Sequence, residues 1–93
     1  MKVVVCHIEL YLAASQSLKD KRQVVKSLIG RIRARVNASA AEVGFHDLWQ
    51  RAAIGVAMVG TEAAVLEGQL TLIRRLADQL DGAEVVVFDV EYI

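Results

Sequence analysis

Residues 2–12 read KVVVCHIELYL, and this stretch decides the fold. Its first half is apolar at every position, and from His7 onward polar side chains alternate with apolar ones. An apolar, β-branched run that passes into strict alternation predicts a β-strand near the centre of a sheet. The same alternation groups Cys6 with Ile8 and Leu10 on the covered face, so we expect a buried, inert thiol.

A helix is predicted directly after this strand. SLKDKR at residues 17–22 offers Ser17 as the N-cap and resembles a capping box, with Asp20 in place of the preferred Glu. Asn37 is the expected C-cap. Between these ends an apolar stripe recurs at helical spacing, and its members are Leu18, Val25, Leu28, Ile29, Ile32 and Val36.

The remaining elements follow from the same kinds of pattern. Residues 38–45 are small and predict a weak edge strand, residues 51–60 predict a third strand, and residues 84–92 predict a fourth. Thr61 is the expected N-cap of a second helix, which Asp81 and Gly82 should end. Its core stripe comprises Leu66, Leu70, Ile73, Ala77 and Leu80.

The order βαββαβ favours one architecture, the ferredoxin-like α+β fold. It has a four-stranded antiparallel sheet with two helices on one face, and right-handed crossovers place the first and third strands in the middle. Residues 1–93 contain no linker and no repeat, so we expect a single domain. No stretch is long and apolar enough for a transmembrane helix, and one cysteine allows no internal disulfide, so we expect a cytoplasmic protein.

The composition predicts self-association. Hydrophobic residues make up 55% of the chain, against roughly 45–50% in typical domains. The sheet face without helices should carry Val3, Val5 and Tyr11, together with one alternate set of the third strand. That set is either Ala53, Gly55 and Ala57 or Ile54, Val56 and Met58. We expect a homodimer or higher oligomer that uses this open face or the edge strand at residues 38–45.

Charge is distributed very unevenly. Residues 17–36 hold seven Lys or Arg and one Asp, a net of +6, whereas the other four basic and ten acidic residues sum to −6. A helix this basic predicts contacts with the backbone of structured RNA. The expected nucleic-acid-binding residues are Lys19, Lys21, Arg22, Lys26 and Arg33. Two alternatives stay open: a solvated helix face, or pairing with acidic surface on another subunit or partner.

A second group of polar and aromatic residues lies between the predicted second and third strands. It comprises Glu42, His46, Asp47, Trp49, Gln50 and Arg51, and it is either a binding edge or a connection in which Trp49 packs down. Neighbouring residues of an extended chain point to opposite faces, so His46 and Asp47 are not expected to converge. We therefore predict no catalytic residues, no metal and no cofactor, and an enzyme centred on His46 and Asp47 is the weakest alternative.

Three motifs resemble a known bacterial family. The YlxP-like family has similar motifs in the same order as three stretches of this chain: SLKDKR at residues 17–22, VNASAAEVG at 36–44 and DLWQRA at 47–52. One departure is His46, which stands where Gln is common. The resemblance implies a ferredoxin-like fold and a link to translation and ribosome maturation. It implies no established activity.

Overall fold

Six elements follow one another along residues 1–93, all of which the computed structural model describes. They are β1 (Lys2–Tyr11), α1 (Leu18–Arg35), β2 (Ser39–Gly44), β3 (Arg51–Gly60), α2 (Ala63–Asp78) and β4 (Glu84–Tyr92). The strands form one sheet in the order β2-β3-β1-β4, and every neighbouring pair is antiparallel. The predicted ferredoxin-like fold is therefore confirmed, with β1 and β3 central and β2 at an edge.

The core lies between the sheet and the two helices. Alternate residues of β1, including Cys6, Ile8 and Leu10, are buried there. On β3 the buried set is Ile54, Val56 and Met58, so the small set faces the open side of the sheet. The stripes predicted for both helices also supply this core, except for Leu18, which is only half-buried. Neither helix is long and apolar enough to cross a bilayer.

The side chains of β3 that face the open side lie next to β2, which is bulged between Glu42 and Gly44, and they must therefore be small. The bulge places Val43 over Gly55, where a Cβ would lie 3.0 Å from the Val43 side chain. Such a contact is shorter than packed carbon atoms normally make. Gly55 therefore allows the edge strand to fold its valine onto the sheet.

The helix ends differ from the predicted positions at three of four places. Ser17 caps α1 as expected, because its Oγ accepts the Asp20 N–H at 3.0 Å. The helix ends at Arg35, however, and Val36, whose backbone is extended, is the C-cap in place of Asn37. Glu62, not Thr61, precedes α2, since its carbonyl accepts the first helical hydrogen bond.

The end of α2 also comes earlier than predicted. The helix stops at Asp78 with Gln79 as its cap, ahead of the expected Asp81 and Gly82. Gly82 instead adopts a φ of +76° in the turn that enters β4, a conformation that glycine accepts without a steric penalty.

Cys6 is expected to be unreactive in the folded protein. It is 2% exposed, and burial, with a smaller effect of Asp89, raises the pKa of its thiol from 9.0 to about 11. This rise in the pKa lowers the fraction of thiolate at pH 8 about 100-fold, and the thiolate is the form that acts as nucleophile. Iodoacetamide should therefore label native Cys6 at least about 100-fold more slowly than the urea-unfolded chain. Equal labelling rates would contradict this burial.

Candidate functional site

Four of the five predicted nucleic-acid-binding residues lie together on one exposed side of α1. Lys19, Arg22, Lys26 and Arg33 form this surface, which we call the cationic flank. The flank covers about four helical turns, or about 21 Å at 1.5 Å per residue. The ion pairs of the chain join His7 to Glu9, Lys21 to Glu42, Arg51 to Glu9 and Arg74 to Asp78. No carboxylate of the chain is therefore paired with the flank.

The cationic flank runs beside β2, the edge strand of the sheet. Near one end, Nη2 of Arg33 donates a hydrogen bond to the carbonyl oxygen of Ala40 at 2.7 Å. Near the other end, Nζ of Lys21 reaches the carbonyl oxygen of Phe45, just beyond β2, at 2.7 Å. The two contacts show that α1 and β2 run antiparallel. They also place the Lys19 end of the flank next to the connection between β2 and β3.

Lys21 itself is not part of the cationic flank. Its side chain is fully buried, its Nζ also donates to the carbonyl oxygen of His46 at 3.1 Å, and it lies 3.1 Å from Oε2 of Glu42. The prediction that Lys21 contacts nucleic acid is wrong, because its ammonium group is enclosed by these three partners. Its position shows why: Lys21, Val25 and Leu28 follow one another at helical spacing on the buried face.

The connection between β2 and β3, which we call the aromatic loop (residues 45–50), is held at both ends. A turn closes where Leu48 N–H donates to the Phe45 carbonyl at 3.0 Å, and Phe45 adopts a φ of +57°. At the far end, the Gln50 carbonyl accepts the Leu12 N–H at 2.9 Å, and the Gln50 side chain donates to the carbonyl of Ala13 at 3.0 Å. Lys21 holds the carbonyls of Phe45 and His46, so the loop is anchored at both of its ends.

Aromatic and apolar side chains of the aromatic loop face solvent. Trp49 is 53% exposed, Leu48 is 48% exposed and Phe45 is 38% exposed. The interpretation in which Trp49 packs down is therefore wrong. The carbonyl oxygens of the first two loop residues, in contrast, point inward to Lys21. A shallow pocket of about 420 Å³ lies along residues 47–51.

The predicted binding edge does not act as one cluster. Glu42 turns inward to Lys21, whereas Arg51 donates to Oε1 of Glu9 at 3.0 Å and stacks over the Phe45 ring, 4.7 Å from its centroid. His46 and Asp47 are exposed, and their side chains form no hydrogen bond with each other. No three His, Cys, Asp or Glu side chains come together as metal ligands. Among the residues predicted for the binding edge, those that face solvent all lie in the aromatic loop.

A polar network occupies the open face of the sheet. Nε2 of His7 lies 2.9 Å from Oε2 of Glu9, and this hydrogen bond is the main reason that the pKa of Glu9 falls below its usual value. Arg51 lowers it further, and partial desolvation opposes both. In the β1–β4 register His7 lies opposite Asp89 and Val5 lies opposite Glu91. The sheet therefore brings an acidic row of β4 beside the network.

Comparisons with known proteins support the resemblance in the motifs. A family model described as "Protein of unknown function (DUF503)" matches residues 3–90. The chain is also 31% identical over 87 residues to "Uncharacterized protein YlxP" of Bacillus subtilis, an alignment that covers 94% of this chain and 92% of that protein. Neither description states an activity.

Proposed function

Because the chain belongs to the DUF503 family, a family of unknown function, we propose its role from its surface: a non-catalytic module that binds structured RNA through the cationic flank. The proposed partner is ribosomal RNA, and the proposed location is the cytoplasm. The observation that carries the proposal is the row of four exposed cations, none of them paired with a carboxylate of the chain.

The four cations of this row are suited to binding phosphate groups. Cations spread over about 21 Å of a rigid helix can meet several phosphates at once and release their counterions. Arg33 keeps this capacity although it binds the Ala40 carbonyl, because a guanidinium group carries five N–H donors and this bond uses one. Such contacts position an RNA backbone without reading its sequence.

Binding of ribosomal RNA fragments is expected to depend steeply on salt. Four phosphate contacts predict that log K falls with log salt with a slope of about −3 to −3.6, or about 50- to 150-fold in affinity between 50 and 200 mM salt. Filter binding across this range measures the slope. Failure of ribosomal RNA fragments to bind at low salt would exclude the proposal.

The second candidate is an oligomeric protein-interaction module. The observation that favours it is the separation of charge between the two edges of the sheet. The cationic flank lies along β2, whereas exposed acids on β4, Glu84, Asp89 and Glu91, lie at the opposite edge. One copy can therefore present its flank to the acidic edge of the next. Val43 and Val59, each more than half exposed, add apolar surface on the open face.

Self-association by this route should be salt-sensitive. Light scattering at micromolar concentration should give a mass above 10.2 kDa at low salt, and Asp89→Lys with Glu91→Lys should return it to 10.2 kDa. Conversely, a monomer at low salt would contradict homo-oligomerisation. A pull-down after nuclease treatment separates the two candidates, because protein partners survive the nuclease and RNA-mediated partners do not.

A further inference from the structure

The geometry points to a stacking site for an unpaired RNA base on the aromatic loop, at the Lys19 end of the cationic flank. This inference rests on the proposed function, since the flank supplies the phosphate contacts and the loop adds a base contact. It identifies the preferred ligand as RNA with a single-stranded segment next to the bound backbone. Trp49 is the residue on which the base stacks.

The exposed indole is the first observation. Trp49 is 53% exposed and lines a shallow, open depression along residues 47–51. Stacking on aromatic side chains is the common way in which proteins hold unpaired bases, and it tolerates any sequence because every base has a π-face. The centre of the open sheet face carries no Phe, Tyr or Trp, since His7, Glu9 and Gly55 lie there.

The rigidity of the aromatic loop is the second observation. Lys21 binds the carbonyls of Phe45 and His46, and the Gln50 side chain binds the Ala13 carbonyl. These anchors hold Phe45 at a φ of +57°, which is costly for an aromatic residue and persists only where the surroundings enforce it. A ligand that stacks on Trp49 therefore meets a surface that is already ordered, so little conformational entropy is lost on binding.

The position of the aromatic loop relative to the cationic flank is the third observation. Lys21 directly precedes Arg22 of the flank, and its Nζ lies 2.7 Å from the Phe45 carbonyl oxygen at the start of the loop. An RNA strand whose phosphates follow the flank thus arrives at the loop. Asp47 is exposed there and repels phosphate, which favours entry of a base and not of the backbone.

Trp49 is the only tryptophan of the chain, so its fluorescence reports on this site alone. Titration with a short single-stranded oligouridylate at low salt should quench the emission, whereas a blunt RNA duplex of equal length should bind with little quenching. The affinities for labelled RNA can be measured by fluorescence anisotropy. Trp49→Ala should lower the affinity for the single strand at least about 10-fold and leave the affinity for the duplex unchanged. Trp49→Phe should restore most of the lost affinity.

Leu48→Ala is the matched control, because it removes a neighbouring exposed apolar side chain that has no ring. It should leave both affinities within about twofold. Single-strand binding that is salt-dependent, unquenched and unaffected by Trp49→Ala would overturn the stacking site and leave the proposed function intact. Equal losses for single strand and duplex would overturn it as well. If neither RNA binds at low salt, both the stacking site and the proposed function fail.

Discussion

Replacing Lys21 with Met is expected to destabilise the protein strongly, by about 3 kcal/mol or more in the free energy of unfolding. Met fills the space of the buried stem, so the loss comes from the ammonium group. Its removal leaves the His46 carbonyl without its donor and leaves the Phe45 carbonyl with the Leu48 N–H alone. It also leaves Glu42, whose side chain is 18% exposed, without its counter-charge. Unpaired polar groups in such positions cost far more than the original bonds contributed.

Urea denaturation followed by circular dichroism measures this effect. Lys26→Met is the matched control, since Lys26 is exposed on the same helix, and it should change the free energy of unfolding by no more than about 0.5 kcal/mol. Adding Glu42→Gln to Lys21→Met should recover part of the loss, because a neutral amide no longer leaves a charge unpaired. If Lys21→Met were as stable as Lys26→Met, the buried lysine would have no structural role.

Reversing two charges of the cationic flank is expected to abolish most RNA binding. Arg22→Glu with Lys26→Glu removes two of the four phosphate contacts and adds repulsion, so affinity at low salt should fall about 100-fold or more. The salt slope should become shallower by about two, since each lost phosphate contact reduces it by about one. Both side chains are exposed, so the fold should remain intact.

Lys2→Glu with Arg75→Glu is the control for net charge. Both residues are exposed, neither lies on α1, and the pair changes the charge of the chain by the same amount. We expect filter binding to show an affinity close to that of the unchanged protein. Equal loss in both double variants would mean that net charge, and not the cationic flank, drives the association.

The fold could be predicted because its signals are local and periodic. β1 shows its central position by being apolar on both faces, and the order of elements then leaves one favoured topology. Helix ends were predicted less well because single residues decide them. Val36 continues the apolar stripe of α1 but already has extended backbone angles, so the stripe does not reveal that the helix ends at Arg35.

The candidate site could be predicted only in part. Charge alone predicts Lys21 as a nucleic-acid-binding residue, although its helical spacing from Val25 and Leu28 places it on the buried face. The exposure of Trp49 is one of two alternatives that the sequence leaves open, because no periodicity runs through the loop to decide between them. Contacts between Lys21 and the loop join residues far apart in the chain, and such pairings leave no local signal.

The central position of β1 has a consequence for how the chain reaches its native state. Val4 of β1 lies opposite Met58 on one side and Tyr92 on the other, so the second partner is separated from it by almost the whole chain. Such distant pairings raise the contact order, which lengthens the time that the chain needs to fold. During that interval an apolar strand has two unsatisfied edges, and it can recruit strands of neighbouring chains. The strand that organises the native sheet is thus also the segment from which we expect aggregation to start when folding is slow.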